Sequence, residues 1–354
     1  MSKAQEASNS SANMKTASST AGSVSACDTY LKYLSLVSLT VQNALLILTM
    51  RYVRTRTGDM FMASTAVIMS ESLKFLSSLL IIFIQEGSLR SWLKHLNENI
   101  FHNLKDCLKI SVPGLIYTLQ NNLLYLALSN LDAATFQVLY QMKILTTALF
   151  SVLMLKKQLS KLQWLSLIFL MAGVVLVELQ PENTQRPKES TIQNPLIGFV
   201  AVLIYCIMSG FAGVYFEKIL KGTQQTVWLR NVQLGFLGAV FGLITMEIKD
   251  GSKVRSSGFF FGYDIVVWCV ILLQCFGGLV VAVVVKYADN ILKGFATSAA
   301  IIISCVASVY FFYFQVSVQF VIGAAFVIVS IYMYGKFVPE LKVTVVVPNG
   351  ISKV

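Results

Sequence analysis

The chain has 354 residues, of which 56% are hydrophobic and only 13% charged. Soluble domains carry about a quarter charged residues, and a soluble fold of this composition would expose large apolar patches. The net charge of +11 gathers in short segments between apolar blocks rather than in a basic stripe, so membrane topology explains it better than a nucleic-acid surface does.

Residues 1–28 are rich in Ser, Ala, Asn and Thr and have no apolar signal-peptide core; they read as a disordered tail. Ten apolar segments follow, near 31–50, 61–84, 108–129, 133–155, 162–179, 195–217, 227–248, 264–285, 290–312 and 316–335. Each approaches the roughly 20 residues that a spanning helix needs. Asn130-Leu131-Asp132, between the third and fourth, allows only an antiparallel hairpin. The longest connections, 85–107, 180–194 and 249–263, are too short for a soluble domain. The expected fold is an all-α polytopic membrane protein of ten transmembrane helices over 29–335, with cytosolic tails at 1–28 and 336–354.

Orientation follows from Lys and Arg. Both tails and the even-numbered loops hold 17 of them, the odd loops 8. Both termini are therefore expected in the cytosol. Arg51, Arg54 and Arg56 dissent, since they follow the first span on the opposite side. Ten spans suggest a five-plus-five inverted repeat. Span four carries Lys143 then Thr147, and span nine, its counterpart, carries Lys293 then Thr297.

An ionisable group at mid-bilayer costs about 2.5–3.5 kcal/mol. Lys143 lies about 15 Å along its span, with no acidic residue in that span. It is either paired with a carboxylate on another helix or a cation awaiting an anionic substrate. Glu71 and Lys74 share a helix face at i,i+3, as an internal ion pair or as a pair beside the substrate. Arg230 and Lys293 lie near span ends, where a long side chain can snorkel. Tyr117-Thr118-Leu119-Gln120-Asn121-Asn122 puts adjacent amides in span three; they can read a nucleobase edge or bond between helices. Ser209-Gly210-Phe211-Ala212-Gly213 and Gly277-Gly278 are small-residue faces for close helix packing or for ligand approach to the backbone.

Six cysteines (27, 107, 206, 269, 275 and 305) lack metal-ligand spacing, and both histidines, His95 and His102, sit in one polar loop. No metal or cofactor is expected, and no enzymatic centre. Unmatched membrane cations favour a carrier for an anionic metabolite over a cation channel with acidic rings.

YTLQNNLLYLALSNLDAATFQVLYQMKILTT (Tyr117–Thr147) closely resembles the nucleotide-sugar transporter family of the Golgi, within the drug/metabolite transporter superfamily. So do STAVIMSESLK (Ser64–Lys74), SGFAGVYFEKILKG (Ser209–Gly222), VWLRNVQLG (Val227–Gly235), GFFFGY (Gly258–Tyr263) and VVVKYADNILKGFATS (Val283–Ser298). The resemblance runs in order from about residue 31 to 335. VQNALLILTMRYVRTRTGD (Val41–Asp59), KILTTALFSVLML (Lys143–Leu155) and KGTQQTVWLRNVQLGF (Lys221–Phe236) are similar to the UDP-galactose branch. Gly235 stands where the CMP-sialic acid branch is expected to have an aromatic. Leu139, Met142 and Phe136 depart from the family's threonine, leucine and tyrosine.

The resemblance implies import of UDP-galactose into the Golgi lumen in exchange for UMP. It places Lys143 and Lys293 on phosphate, Asn121, Asn231, Ser209, Gly210 and Tyr215 near the nucleotide, and Glu71 with Lys74 toward the sugar; Tyr117 joins them by proximity. UDP-N-acetylglucosamine, UDP-N-acetylgalactosamine and CMP-sialic acid are alternative substrates. A non-transporting scaffold for glycosyltransferases is the alternative of another class, and such enzymes or a second copy of the chain are conceivable partners. The terminal Ser352-Lys353-Val354 resembles signals for leaving the endoplasmic reticulum.

Overall fold

The computed structural model describes residues 28–53, 59–102, 104–131, 133–179, 194–223, 225–312 and 317–337, without the side chains of Tyr117, Asn121 and some neighbours in that stretch. The tail segments 1–27 and 338–354, and Arg54 and Arg56, lie outside the described residues. All regular elements described are helical: α1 (Asp28–Val53), α2 (Ala63–Glu86), α3 (Leu89–Leu96), a π-turn (Asn97–Phe101), α4 (Leu104–Asn130), α5 (Ala133–Tyr140), α6 (Met142–Leu155), α7 (Lys161–Glu178), α8 (Pro195–Gly222), α9 (Val227–Ser257), α10 (Ile265–Tyr287), α11 (Asn290–Phe312) and α12 (Val318–Lys336).

Among the described residues, nine segments are long and apolar enough to cross a membrane. α4 has the length, at 27 residues, but Asp106, Lys109 and Gln120 make it less apolar. Three departures from the sequence reading stand out. The fourth span is two helices, α5 and α6, broken at Gln141 just before Lys143. The seventh does not end near 248: α9 runs on to Ser257, carrying Lys249, Asp250 and Lys253 on helix rather than loop. The connection 85–107 contains α3, whose Trp92 donates to the Leu79 carbonyl at 3.2 Å.

Local chemistry sets the ends. Ser160 and Gln163 form a reciprocal capping box at α7. Asn194 caps α8 ahead of Pro195, Asp264 caps α10 and Ser317 caps α12. Outward faces stay apolar and uncovered, as a lipid-facing surface requires: Leu80, Leu153 and Ile328 are each more than half exposed.

α2 packs along α9, α7 along α12, and α8 lies against α4 and α6. α1 is tied to α10 by Gln42 donating to the Leu273 carbonyl at 2.9 Å, and to α11 by Thr40 donating to the Ala296 carbonyl at 3.3 Å. The glycine faces are contact faces. A Cβ on Gly173 would lie 2.7 Å from the Gly323 carbonyl oxygen, and one on Gly323 would lie 2.8 Å from that of Gly173. Backbone meets backbone there, so neither helix tolerates a methyl without moving. Gly210 fits against the backbone of Thr146 and Thr147, and Gly277 makes room for the Gln42 amide.

Gly173→Ala is therefore expected to destabilise the protein by about 1–3 kcal/mol, read as a fall in melting temperature in detergent. Gly335→Ala, where an added Cβ meets nothing within 4 Å, should leave it unchanged or raise it slightly.

Candidate functional site

A cavity of about 380 Å³ opens among α1, α5, α6, α7, α8 and α11. Lys143 and Lys293 both line it, with Asn43, Thr147, Glu178 and Ser209. Lys143 sits where α6 is fixed most firmly. Thr147 donates to the Lys143 carbonyl at 2.7 Å, and Thr146 donates to it at 3.0 Å and to the Cys206 carbonyl of α8 at 2.7 Å. Gly210 lets α8 come that close. The Lys143 ammonium lies over the Tyr140 ring, 3.7 Å from its centroid. Such a contact contributes about 0.5–2 kcal/mol. Neither Lys143 nor Lys293 has a carboxylate within 4.0 Å among the described residues. Lys143 has an aromatic face and Lys293 borders cavity space, and neither is in a salt bridge among the described residues.

Lys293 lies one turn into α11, facing the cavity rather than a headgroup layer. Asp289 caps that helix, accepting from the Leu292 amide at 2.7 Å, and pairs with Lys157 from the end of α6. Glu217, 1% exposed, accepts from the Asn290 amide at 2.9 Å and from Lys221 at 2.7 Å. Asn290 in turn donates to the Gly213 carbonyl. This lattice ties the ends of α6 and α8 to the α10–α11 turn beneath the cavity.

Lys293 also borders a smaller space of about 160 Å³, shared with Asn231, Gly278 and Lys74. Lys74 in turn lines a third cavity of about 450 Å³ between α2, α4 and α9, with Glu71, Ser64 and Lys249. The small space shares Lys293, Asn290 and Gly213 with the first cavity and Lys74 and Leu234 with the third, so the three follow one another as a path whose lining is more apolar than polar. Glu71 and Lys74 are an ion pair at 2.5 Å and border the path at the same time. Gly278 leaves room for the Lys74 stem. Asn231, 1% exposed, donates to the Val227 carbonyl at 3.1 Å.

Other expected site residues sit elsewhere. Gly210 is a packing contact behind the cavity wall. Tyr215 stacks on Phe211 at 5.6 Å and joins the apolar cluster around Phe216, lining none of the three spaces. The side chains of Tyr117 and Asn121 lie outside the described residues. Arg230 corrects the snorkelling expectation. It is 0% exposed and bonds Asp106 at 2.6 Å, Gln233 at 3.0 Å and Thr223 at 3.1 Å, so it locks α9 to α4. Glu178, Tyr140 and Asn290 are site residues that sequence reasoning missed. Tyr140 was legible, three residues before Lys143 and on its face; Glu178 and Asn290 sit at span ends, where polar residues attract no notice.

A bundle of long apolar helices around a lysine-lined path is the architecture of a polytopic membrane protein. A nucleotide-sugar transporter profile matches residues 27–335. UDP-galactose translocators of mouse (Mus musculus) and human (Homo sapiens) are 55% identical over 314 residues; that covers 88% of this chain and 80% and 79% of theirs. The human UDP-N-acetylglucosamine transporter is 51% identical over 311 residues, covering 86% of this chain and 95% of that one. A solved crystal structure superposes with a TM-score of 0.60 at 13% identity, covering 85% of this chain and 97% of the other, a likeness of fold alone. The chain belongs to the nucleotide-sugar transporter family.

Removing one partner of the Arg230–Asp106 pair strands a buried charge. Arg230→Met is expected to cost about 3–5 kcal/mol and to collapse the yield of folded protein. Arg230→Met with Asp106→Leu should recover most of it, read by size-exclusion profile and melting temperature.

Proposed function

We propose that the chain imports UDP-galactose into the Golgi lumen in exchange for UMP. The observation that carries this is the pair Lys143 and Lys293, two ammoniums on one cavity without carboxylate partners within 4.0 Å among the described residues. Cations so placed suit the phosphates that both solutes share. The choice of UDP-galactose leans on relatives of that name at 55% identity. Relatives named for UDP-N-acetylglucosamine, at 51%, make that sugar the competitor to test.

In this reading Ser209 and Asn231 meet the nucleotide, and Glu71 with Lys74 meet the sugar at the far end of the path. Asn121 and Tyr117 join the nucleotide side on the resemblance alone, while Gly210 and Tyr215 act by shaping the wall. Ten helices, α5 and α6 counting as one and α4 as the third, cross the membrane with both termini cytosolic. What supports the five-plus-five inverted repeat is reciprocity: α1 bonds α10 and α11 as α8 contacts α4 and α6. α2 on α9 and α7 on α12 are then counterpart pairs. The Lys157–Asp289 tie and the bond from the Asn290 amide to Glu217 fall at the cytosolic ends and must part when a nucleotide-sugar enters from that side. A second copy or a glycosyltransferase would dock on the outer faces and is not needed for transport.

Exchange follows from charge. An empty cavity carries net positive charge on its ammoniums, and turning it through a low-dielectric bundle is costly; a bound phosphate neutralises it. The test is uptake of labelled UDP-galactose into proteoliposomes loaded with UMP or left empty, with other nucleotide-sugars as competitors. UMP-dependent uptake competed best by UDP-galactose is expected. Strong competition by UDP-N-acetylglucosamine would move the substrate assignment. No uptake of any nucleotide-sugar by folded protein would favour the scaffold. A charged hydrogen bond contributes about 1.5–3 kcal/mol, so Lys143→Gln and Lys293→Gln should each lower exchange about 10–100-fold. Normal exchange in both would overturn the phosphate assignment.

A further inference from the structure

Glu178 is the last residue of α7 and faces the central cavity. Among the described residues lining that cavity it is the only carboxylate, opposite two lysines. Gln141 donates to its Oε2 at 2.9 Å. Gln141 is 3% exposed and occupies the break between α5 and α6, next to Met142 and Lys143 and directly after Tyr140. The carboxylate is thus tethered to the turn that presents the Lys143 ammonium, yet stands more than 4.0 Å from it. A structural salt bridge would close that gap. An anion held in the cavity but not on the lysine leaves room for another anion to take the lysine.

We propose that Glu178 is the resident counter-ion of the central cavity: it offsets part of the lysine charge while the cavity is empty and opposes the phosphates when they arrive. This rests on the exchange reading above. Two lysines and one carboxylate leave one net positive charge to be carried when the empty protein changes sides. Without Glu178 there would be two. The carboxylate therefore eases return of the empty carrier and loosens obligatory exchange. By the same Coulomb argument it weakens nucleotide binding, since it is a like charge beside the phosphate site. Glu178 is a positioning residue that acts through Lys143.

Glu178→Gln removes the charge and keeps an acceptor for Gln141; Glu178→Asp keeps the charge. Full-length protein is reconstituted with and without internal UMP, and UMP binding is measured by calorimetry on the same preparations in detergent. For Glu178→Gln we expect KM and the UMP dissociation constant to fall at least threefold. The ratio of UMP-driven to empty-vesicle uptake should rise at least threefold. Glu178→Asp should stay near wild type in both. A structural role alone would lower maximal rate and folded yield and leave affinity and ratio unmoved. The proposal is overturned if wild type exchanges but Glu178→Gln matches it in affinity and ratio, or if Asp and Gln shift both alike. Wild type without UMP-dependent uptake would sink the exchange reading instead, and the counter-ion with it. If Glu178→Gln resists reconstitution, the calorimetric arm decides by itself.

Discussion

A lysine ammonium inside a helical bundle must be satisfied by something, and in this protein the something is mostly not a carboxylate. Lys143 rests on the face of Tyr140 and looks into open space; Lys293 looks into the same space from another helix. The protein has the means to pair charges when it needs to, because Arg230 is fully buried and its two terminal nitrogens bond Asp106, Gln233 and Thr223. Two kinds of buried cation therefore coexist. One is consumed by structure, and the other is kept available at a cost in desolvation.

Keeping the cations available depends on helices that approach closely around an unfilled centre. Lipid tails offer no hydrophobic drive for helix association, so close packing and interhelical bonds hold the bundle together. Gly173 and Gly323 let α7 and α12 touch backbone to backbone, and Gly210 does the same for α8 on α6. Thr146 and Thr40 then bond carbonyls of neighbouring helices and pin the lysine-bearing segments. A rigid wall with a wet interior can present a charge to a ligand, where a filled interior would force it to pair or leave.

The ties beneath the cavity have a different character. Lys157–Asp289, the Asn290 amide on Glu217 and the Asn290–Gly213 bond join helix ends by polar contacts. Of these the Lys157 tie is the one open to water, whereas Glu217 and Asn290 are buried. The glycine seams offer no comparable replacement, since water cannot substitute for close backbone contact. The Lys157–Asp289 tie is therefore easier to open than the glycine seams.

The all-helical, membrane-spanning class of the fold was legible in the chain itself. Bilayer thickness fixes the length of an apolar block, and a charge in mid-block is conspicuous because the medium makes it costly; Lys143 and the Glu71–Lys74 pair were therefore visible as sequence. So was the family, from motifs that span the folded region. Partnership was not legible. Arg230 and Lys293 look alike in sequence, both near span ends, but one is enclosed by Asp106 of α4 and the other faces a cavity. Gly210 and Ser209 are neighbours, yet one packs against α6 and the other lines the site. Glu178, at the end of a span, carried no signal in the sequence; the break at Gln141 turns a donor toward it. Which polar groups meet depends on how helices rotate and kink against one another. That is set by contacts between distant segments, and no local pattern carries it.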